Sequence, residues 1–181
     1  MDNCIRFTNN TDYLYVLFIR EKSKLQNSLI IDSSKCTSCL QCEMACSYHH
    51  TGAFNPARSR IKVFEIDHGS RSIPYTCTQC SDAWCMKACP TNALSRNSET
   101  GAIELSEQSC VGCKVCTLAC PFGTINFNQD NGKVAKCDLC GGDPECAKAC
   151  PTGAISFGDT NWTGLSKMRE SALQTDEVSN N

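Results

Sequence analysis

Four groups of four cysteines decide what this chain can fold into. Cys36, Cys39, Cys42 and Cys46 stand at C-x2-C-x2-C-x3-C spacing, and Cys110, Cys113, Cys116 and Cys120 repeat it. Cys77, Cys80, Cys85 and Cys89 widen the gap before the third cysteine to four residues; Cys137, Cys140, Cys146 and Cys150 widen it to five. Pro90, Pro121 and Pro151 follow the last cysteine of three groups, and of the seventeen cysteines Cys4 alone stands outside.

The pattern is the run that wraps cubane iron-sulfur clusters: three close thiolates take three irons, and the fourth reaches across to a second cluster. Runs of this kind therefore work in pairs. Two residues between ligands let the backbone curl, aiming successive thiolates and amide N–H groups at one centre, where the amides offset negative charge. The x3 step puts the last cysteine one helical turn beyond the third, so the two side chains diverge toward different clusters. Proline then ends the helix. The segments CPTNAL, CPFGTI and CPTGAI, from Cys89, Cys120 and Cys150, are one unit written three times. The apolar stretches Ala102 to Leu105, Ile125 to Phe127 and Ile155 to Phe157 read as hairpin strands.

Two other chemistries use many cysteines. Structural zinc takes two C-x2-C knuckles per ion and has no use for a three-plus-one pattern ending in Cys-Pro. A disulfide network fits badly with an odd cysteine count and no export signal. The opening residues lack a basic n-region, the apolar run Tyr13 to Ile19 is only seven residues long, and the tail Thr160 to Asn181 is polar. The expectation is a cytoplasmic protein without membrane insertion.

Composition agrees with metal-dependent folding. Setting the cysteines aside, the apolar fraction falls from 41% to roughly 31%, thin for a core built of side chains alone. Cluster binding would then be part of the folding free energy. The formal charge of −2 becomes roughly −10 if each of four thiolate-bound clusters adds about −2. So negative a protein makes nucleic acid a poor partner.

From Ile31 to Phe157, about 70% of the chain, the sequence resembles the four-cluster ferredoxin-like electron-transfer subunits of molybdenum and tungsten oxidoreductases. The stretches that carry the resemblance are IPYTCTQCSDAWCMKACPTNAL, TGAIELSEQSCVGCKVCTLACPFGTI and KVAKCDLCGGDPECAKACPTGAI. It implies four [4Fe-4S] clusters, with the first run pairing with the fourth and the second with the third. Carried over here, Cys36, Cys39, Cys42 and Cys150 hold one cluster, and Cys46, Cys137, Cys140 and Cys146 its neighbour. Cys77, Cys80, Cys85 and Cys120 hold a third, and Cys89, Cys110, Cys113 and Cys116 a fourth. The four would lie in a line, the Cys36 end facing a catalytic partner. The stretch CSYHHTGAFNPARSRIKV is similar to small iron-sulfur subunits that accompany tungsten enzymes of the aldehyde:ferredoxin oxidoreductase family, including class II benzoyl-CoA reductase.

The expected fold is α+β: two ferredoxin-like dicluster modules, one inserted into the other, made of short helices and β-hairpins. Residues 29–75 with 126–160 form the outer module and 76–125 the inserted one, between an N-terminal extension (1–28) and a polar tail (161–181). The expected function is non-catalytic, since no nucleophile-and-base constellation stands out. The chain would relay single electrons between a large catalytic subunit and a ferredoxin or other redox protein. A carbon monoxide dehydrogenase or hydrogenase partner is an alternative. So are a free polyferredoxin and, in another class, a zinc scaffold.

Other residues carry weaker expectations. Cys4 reads as a free thiol, and His49 and His50 as capping or hydrogen-bonding groups. Asn55-Pro56 reads as a turn into a strand over Ile61 to Ile66, with Arg58, Arg60 and Lys62 either solvated or docking a partner. Lys133 and Lys136 read as an exposed strand edge or as cations tuning a cluster. Trp84 and Phe122 are expected to pack on clusters and exclude water.

Overall fold

In the computed structural model, which describes residues 27–159, the first and last strands close the chain on itself. β1 (Asn27–Ile31) pairs antiparallel with β8 (Ile155–Asp159), setting Leu29 opposite Phe157 and Ile31 opposite Ile155. The remaining strands form hairpins: β2 (Lys62–Ile66) with β3 (Arg71–Tyr75), β4 (Leu94–Arg96) with β5 (Ile103–Leu105), and β6 (Asn126–Asn128) with β7 (Lys133–Ala135). The expected strands are present with boundaries moved by one or two residues, but Ile155–Phe157, expected in a hairpin, pairs instead with β1 at the other end of the described residues. Cys4 and the tail lie outside the described residues, and β1 begins inside the stretch expected as an extension.

Each cysteine run contributes one α-helix, and proline sets its length. α1 (Gln41–Thr51) has no proline behind its last cysteine and runs for 11 residues. It buries Cys42, Glu43, Cys46 and Ser47, and ends where Gly52, at φ 70, donates its N–H to Tyr48 O. α2 (Trp84–Lys87), α3 (Val115–Ala119) and α4 (Glu145–Lys148) stop short of Pro90, Pro121 and Pro151. A residue before proline is pushed out of helical space, and Cys120 accordingly sits at φ −79, ψ 112.

No separate aliphatic core exists among the described residues, because the cysteines are part of it. One buried cluster joins Cys42, Cys46 and Cys146 to Ile61 and Ile155. A second joins Cys77 and Cys137 to Ala102 and Leu139. The third joins Cys85, Cys110 and Cys116 to Leu94, Ile103, Ile125 and Val134. Val134 and the half-buried Phe127 that packs beside it belong to the β6–β7 hairpin. This hairpin was expected to group with residues 29–75, yet its apolar face packs with Cys85, Cys110 and Cys116. Lys133 on β7 donates to Cys110 O, and Lys114 lies 3.9 Å over the Phe127 ring.

Candidate metal centres

The runs are shaped by a backbone feature that spacing alone does not reveal. The residue before the second cysteine is left-handed in all four: Ser38 (φ 58), Gln79 (φ 51), Gly112 (φ 68) and Leu139 (φ 57). Such a conformation costs a non-glycine residue about 1–2 kcal/mol, a strain that persists where the surroundings over-determine the site. Here it bends each C-x2-C segment so that both sulfurs face one side. A second left-handed residue follows each Cys-Pro pair, at Asn92, Gly123 and Gly153, and turns the chain back over the sulfur just passed.

The sulfurs converge across runs. One cavity is lined by Cys36, Cys39, Cys42 and Cys150, walled by Val63, Pro74 and Ile155. Another is lined by Cys77, Cys80, Cys85 and Cys120, with Ala83, Ile103 and Ile125. A third is lined by Cys89, Cys110, Cys113 and Cys116, with Leu94, Leu105 and Val134. Of the remaining four sulfurs, Cys46 and Cys146 share a buried cluster with Cys42, and burial, then the neighbouring Cys137, Cys46, Cys140 and Cys42 thiols, pushes the Cys146 thiol far above its ordinary range.

Two environments for sulfur result. Burial pushes the Cys42 and Cys137 thiols up to about 11 each and also raises Cys85, Cys116 and Cys140. The cysteines of the Cys-Pro turns go the other way. Burial acts upward at Cys89, but the Thr91 hydroxyl and the amides of Thr91, Ala93 and Leu94 together outweigh it and hold the thiol down. Cys120 and Cys150 are lowered in the same manner, burial again opposing. At Cys120 the donors are Thr124 with the Phe122 and Gly123 amides, at Cys150 the Ile155 amide with Thr152 and Ala154. These donors are what the thrice-written segment supplies. Cys46 has no such turn, and receives the Arg60 N–H at 3.3 Å from fourteen residues away.

Charged groups crowd the Cys46 site. Arg60 pairs with Asp138 at 2.7 Å, and His50 Nε2 lies 3.6 Å from Asp138 and 3.9 Å from Cys140 Sγ. Burial, then the Arg60 charge, lowers His50 to about 4. His49, His50 and Cys140 bring their ligand atoms within 4.8 Å of one another, and Cys140 is also the second cysteine of the fourth run. The three basic residues expected as solvated or docking groups are engaged within the chain: Arg58 with Asp130, Arg60 with Asp138, Lys62 with Glu43 and Pro56 O. Asn55 caps the turn at Pro56–Arg58 as expected.

Two expectations need correcting. Trp84 and Phe122 border the Cys77 cavity, yet they are 63% and 44% exposed, so they form its rim and do not seal it. Lys136 is not an exposed strand edge: it is 3% exposed and sits in the wall of the same cavity. Its partner Gln79, 0% exposed, donates to Cys137 O at 2.7 Å and accepts from Ile103 N–H. Sequence reading passed over Gln79; its place before the second cysteine was the available signal.

Sulfur quartets, apolar walls, amide donors and a buried ammonium suit an anionic, thiolate-bound inorganic guest. Residues 70–160, half of the chain, match the 4Fe-4S dicluster domain family, and 33–49 match a 4Fe-4S binding domain. The chain belongs to the 4Fe-4S dicluster family. Within it, this dicluster protein is 46% identical over 116 residues, 64% of the chain, to the aliphatic sulfonate oxidoreductase polyferredoxin-like subunit of Pyrococcus furiosus. It is 32% identical over 129 residues, again 64% of the chain, to a subunit of the anaerobic dimethyl sulfoxide reductase of Escherichia coli. It spans just under two thirds of the length of these relatives, 66% and 62%. Among solved structures it is similar to a polypeptide of the BamBC active site complex of benzoyl coenzyme A reductase with benzoyl-CoA. The identity there is 26%, the TM-score 0.44, and the coverage 84% of this chain and 96% of that one. No helix among the described residues is long and apolar enough to cross a membrane.

Proposed function

We propose that this dicluster protein relays single electrons through four [4Fe-4S] clusters between a catalytic oxidoreductase subunit and a ferredoxin or further redox subunit. The observation that carries the reading is that each buried cluster straddles two sulfur quartets. Cys42 and Cys46, with Cys146, join the Cys36 quartet to the Cys46 quartet. Cys77 and Cys137 join the Cys46 quartet to the Cys77 quartet. Cys85, with Cys110 and Cys116, joins that quartet to the last. The quartets are thus in series, in the order Cys36, Cys46, Cys77, Cys89.

A bound [4Fe-4S] cluster supplies a one-electron couple whose potential depends on charge, hydrogen bonds and exposure. The chain's own residues hold, insulate and bias it. The sixteen sulfurs serve as ligands in the sets carried over above. Binding needs them deprotonated, so the raised thiols release their protons as metal enters. Thr and amide donors offset thiolate charge at Cys89, Cys120 and Cys150.

The ends of the series favour exchange with other proteins. Of the sixteen cysteines, Cys39 and Cys113 are the exposed ones, and each lies in a terminal quartet. Leu40 is exposed beside the first; Val111, Val115 and Leu118 are exposed beside the second. We assign the Cys39 end to a catalytic subunit of the molybdenum or tungsten class and the Cys113 end to a carrier. The names of the relatives, a polyferredoxin-like subunit of one oxidoreductase and a subunit of a reductase, support a role inside an oxidoreductase assembly. The arrangement supports two modules, with 76–125 inserted into the outer one and the β6–β7 hairpin serving as the inner module's cover.

Anaerobic reconstitution tests the reading. About sixteen iron and sixteen labile sulfide per chain are expected, with reduction by a low-potential donor bleaching the brown colour. Colourless protein that binds zinc and no sulfide would overturn it.

A further inference from the structure

Lys136 occupies the junction between the second and third quartets of the series. Its Nζ donates to Gln79 Oε1 (3.1 Å), Ile103 O (3.1 Å) and Cys137 O (2.9 Å). An ammonium has three hydrogens and no acceptor capacity, so the three acceptors match its protonated form. All three are neutral. Among the described residues no carboxylate forms an ion pair with Lys136, whereas Arg58, Arg60 and Lys62 each have one. A buried charge left without a counter-charge is costly. The matching negative charge must come from what the adjoining cavities take up.

Both neighbouring quartets lie within reach. Lys136 lines the cavity of Cys77, Cys80, Cys85 and Cys120, and the next residue in the chain is Cys137 of the Cys46 quartet. Its charge acts on the Cys85 thiol from one quartet and on the Cys137 thiol from the other. It lines neither terminal cavity. The cations near the last quartet are more hydrated, Lys114 being exposed and Lys133 half-buried, and water screens them.

We infer that Lys136 is the shared counter-ion of the two central clusters, raising their reduction potentials together and favouring an electron at the junction of the two halves. The inference rests on the relay reading above. Gln79 is the positioning residue. Its side chain bridges the Lys136 ammonium, the Ile103 amide and the Cys137 carbonyl, and so fixes the ammonium between the two sites.

The test is an EPR-monitored redox titration of the full chain after iron and sulfide are shown to be complete in the wild type. Incomplete wild-type content would sink the relay reading itself, before this inference is reached. Lys136→Met removes the charge while keeping much of the volume. Two of the four couples should then lose about tenfold in electron affinity, or about 59 mV each for a one-electron couple, with the other two unmoved. Lys136→Arg, which keeps the charge, should restore both. Gln79→Glu sets a carboxylate against the ammonium and should lower the same two couples, giving the same information if Lys136→Met does not assemble. Cluster-complete Lys136→Met or Gln79→Glu protein with four unaltered couples overturns the inference, as does Lys136→Arg shifted as far as Lys136→Met.

Discussion

The first cysteine run and the three that follow solve the same problem differently. In the later runs the helix is one turn, proline ends it, and the chain doubles back to supply donors to the last sulfur; Ala93 N–H reaches Cys89 Sγ at 3.3 Å from four residues on. In the first, α1 continues to Thr51, and Cys46 borrows the amide of Arg60 from beyond a loop. Buried Ser47 organises that loop by accepting from Asn55 N–H and donating to Met44 O. A local turn keeps its donor with the ligand. A borrowed donor makes the ligand depend on the packing of a distant segment.

That contrast predicts where damage spreads. Cys46→Ala and Cys89→Ala should each remove about four of some sixteen irons, but only Cys46→Ala should open the segment from Ala53 to Ile61. Hydrogen exchange at the Arg60 amide measures this; equal protection in both variants would break the contrast. Next in size is a pair of glycines. Gly52, at φ 70, ends α1 with open space around it, so Gly52→Ala should cost about 1 kcal/mol from conformation alone. Gly112, at φ 68, lies against the Gly132 carbonyl, so an added Cβ there would force the β6–β7 hairpin off the Cys110 run. A loss of about 3 kcal/mol is expected, read as a larger drop in melting temperature for Gly112→Ala than for Gly52→Ala. Smallest are the hydroxyls of the Cys-Pro turns. Thr91, Thr124 and Thr152 place Oγ1 at 3.7, 3.5 and 3.8 Å from Sγ. Replacing each by Val should cost about 0.5 kcal/mol in denaturant unfolding. A cost several times larger would show that the turn depends on its hydroxyl more than on its amides.

Spacing exposed much of the site because ligand chemistry is local: three sulfurs within a run must face one centre, and proline after the fourth fixes the helix end. Four strands were legible for a similar reason, each being a short apolar stretch beside a turn, whereas the pairing of Ile155–Phe157 with β1 was not. What stayed hidden was long-range. Nothing local marks Lys136 as buried, since its partners Gln79 and Ile103 lie 57 and 33 residues away. Nothing marks Val134 and Phe127 as packing with Cys85, Cys110 and Cys116, because a three-residue strand carries no sign of which face it will meet. Trp84 was misjudged because an aromatic between two ligands can border a cavity and still face water. The left-handed residues before each second cysteine escaped notice because Ser, Gln and Leu give no hint of that conformation.

The meeting of Cys36, Cys39 and Cys42 with Cys150 also sets a timetable for synthesis. The first three sulfurs leave the ribosome more than a hundred residues before the fourth, whereas the two inner quartets are complete once Cys120 has emerged. At about 5–20 residues per second, the sulfurs of the Cys77 and Cys89 sites of the proposed series are all present seconds before the other two sites can close, so on that reading maturation runs from the Cys113 end toward the Cys39 end.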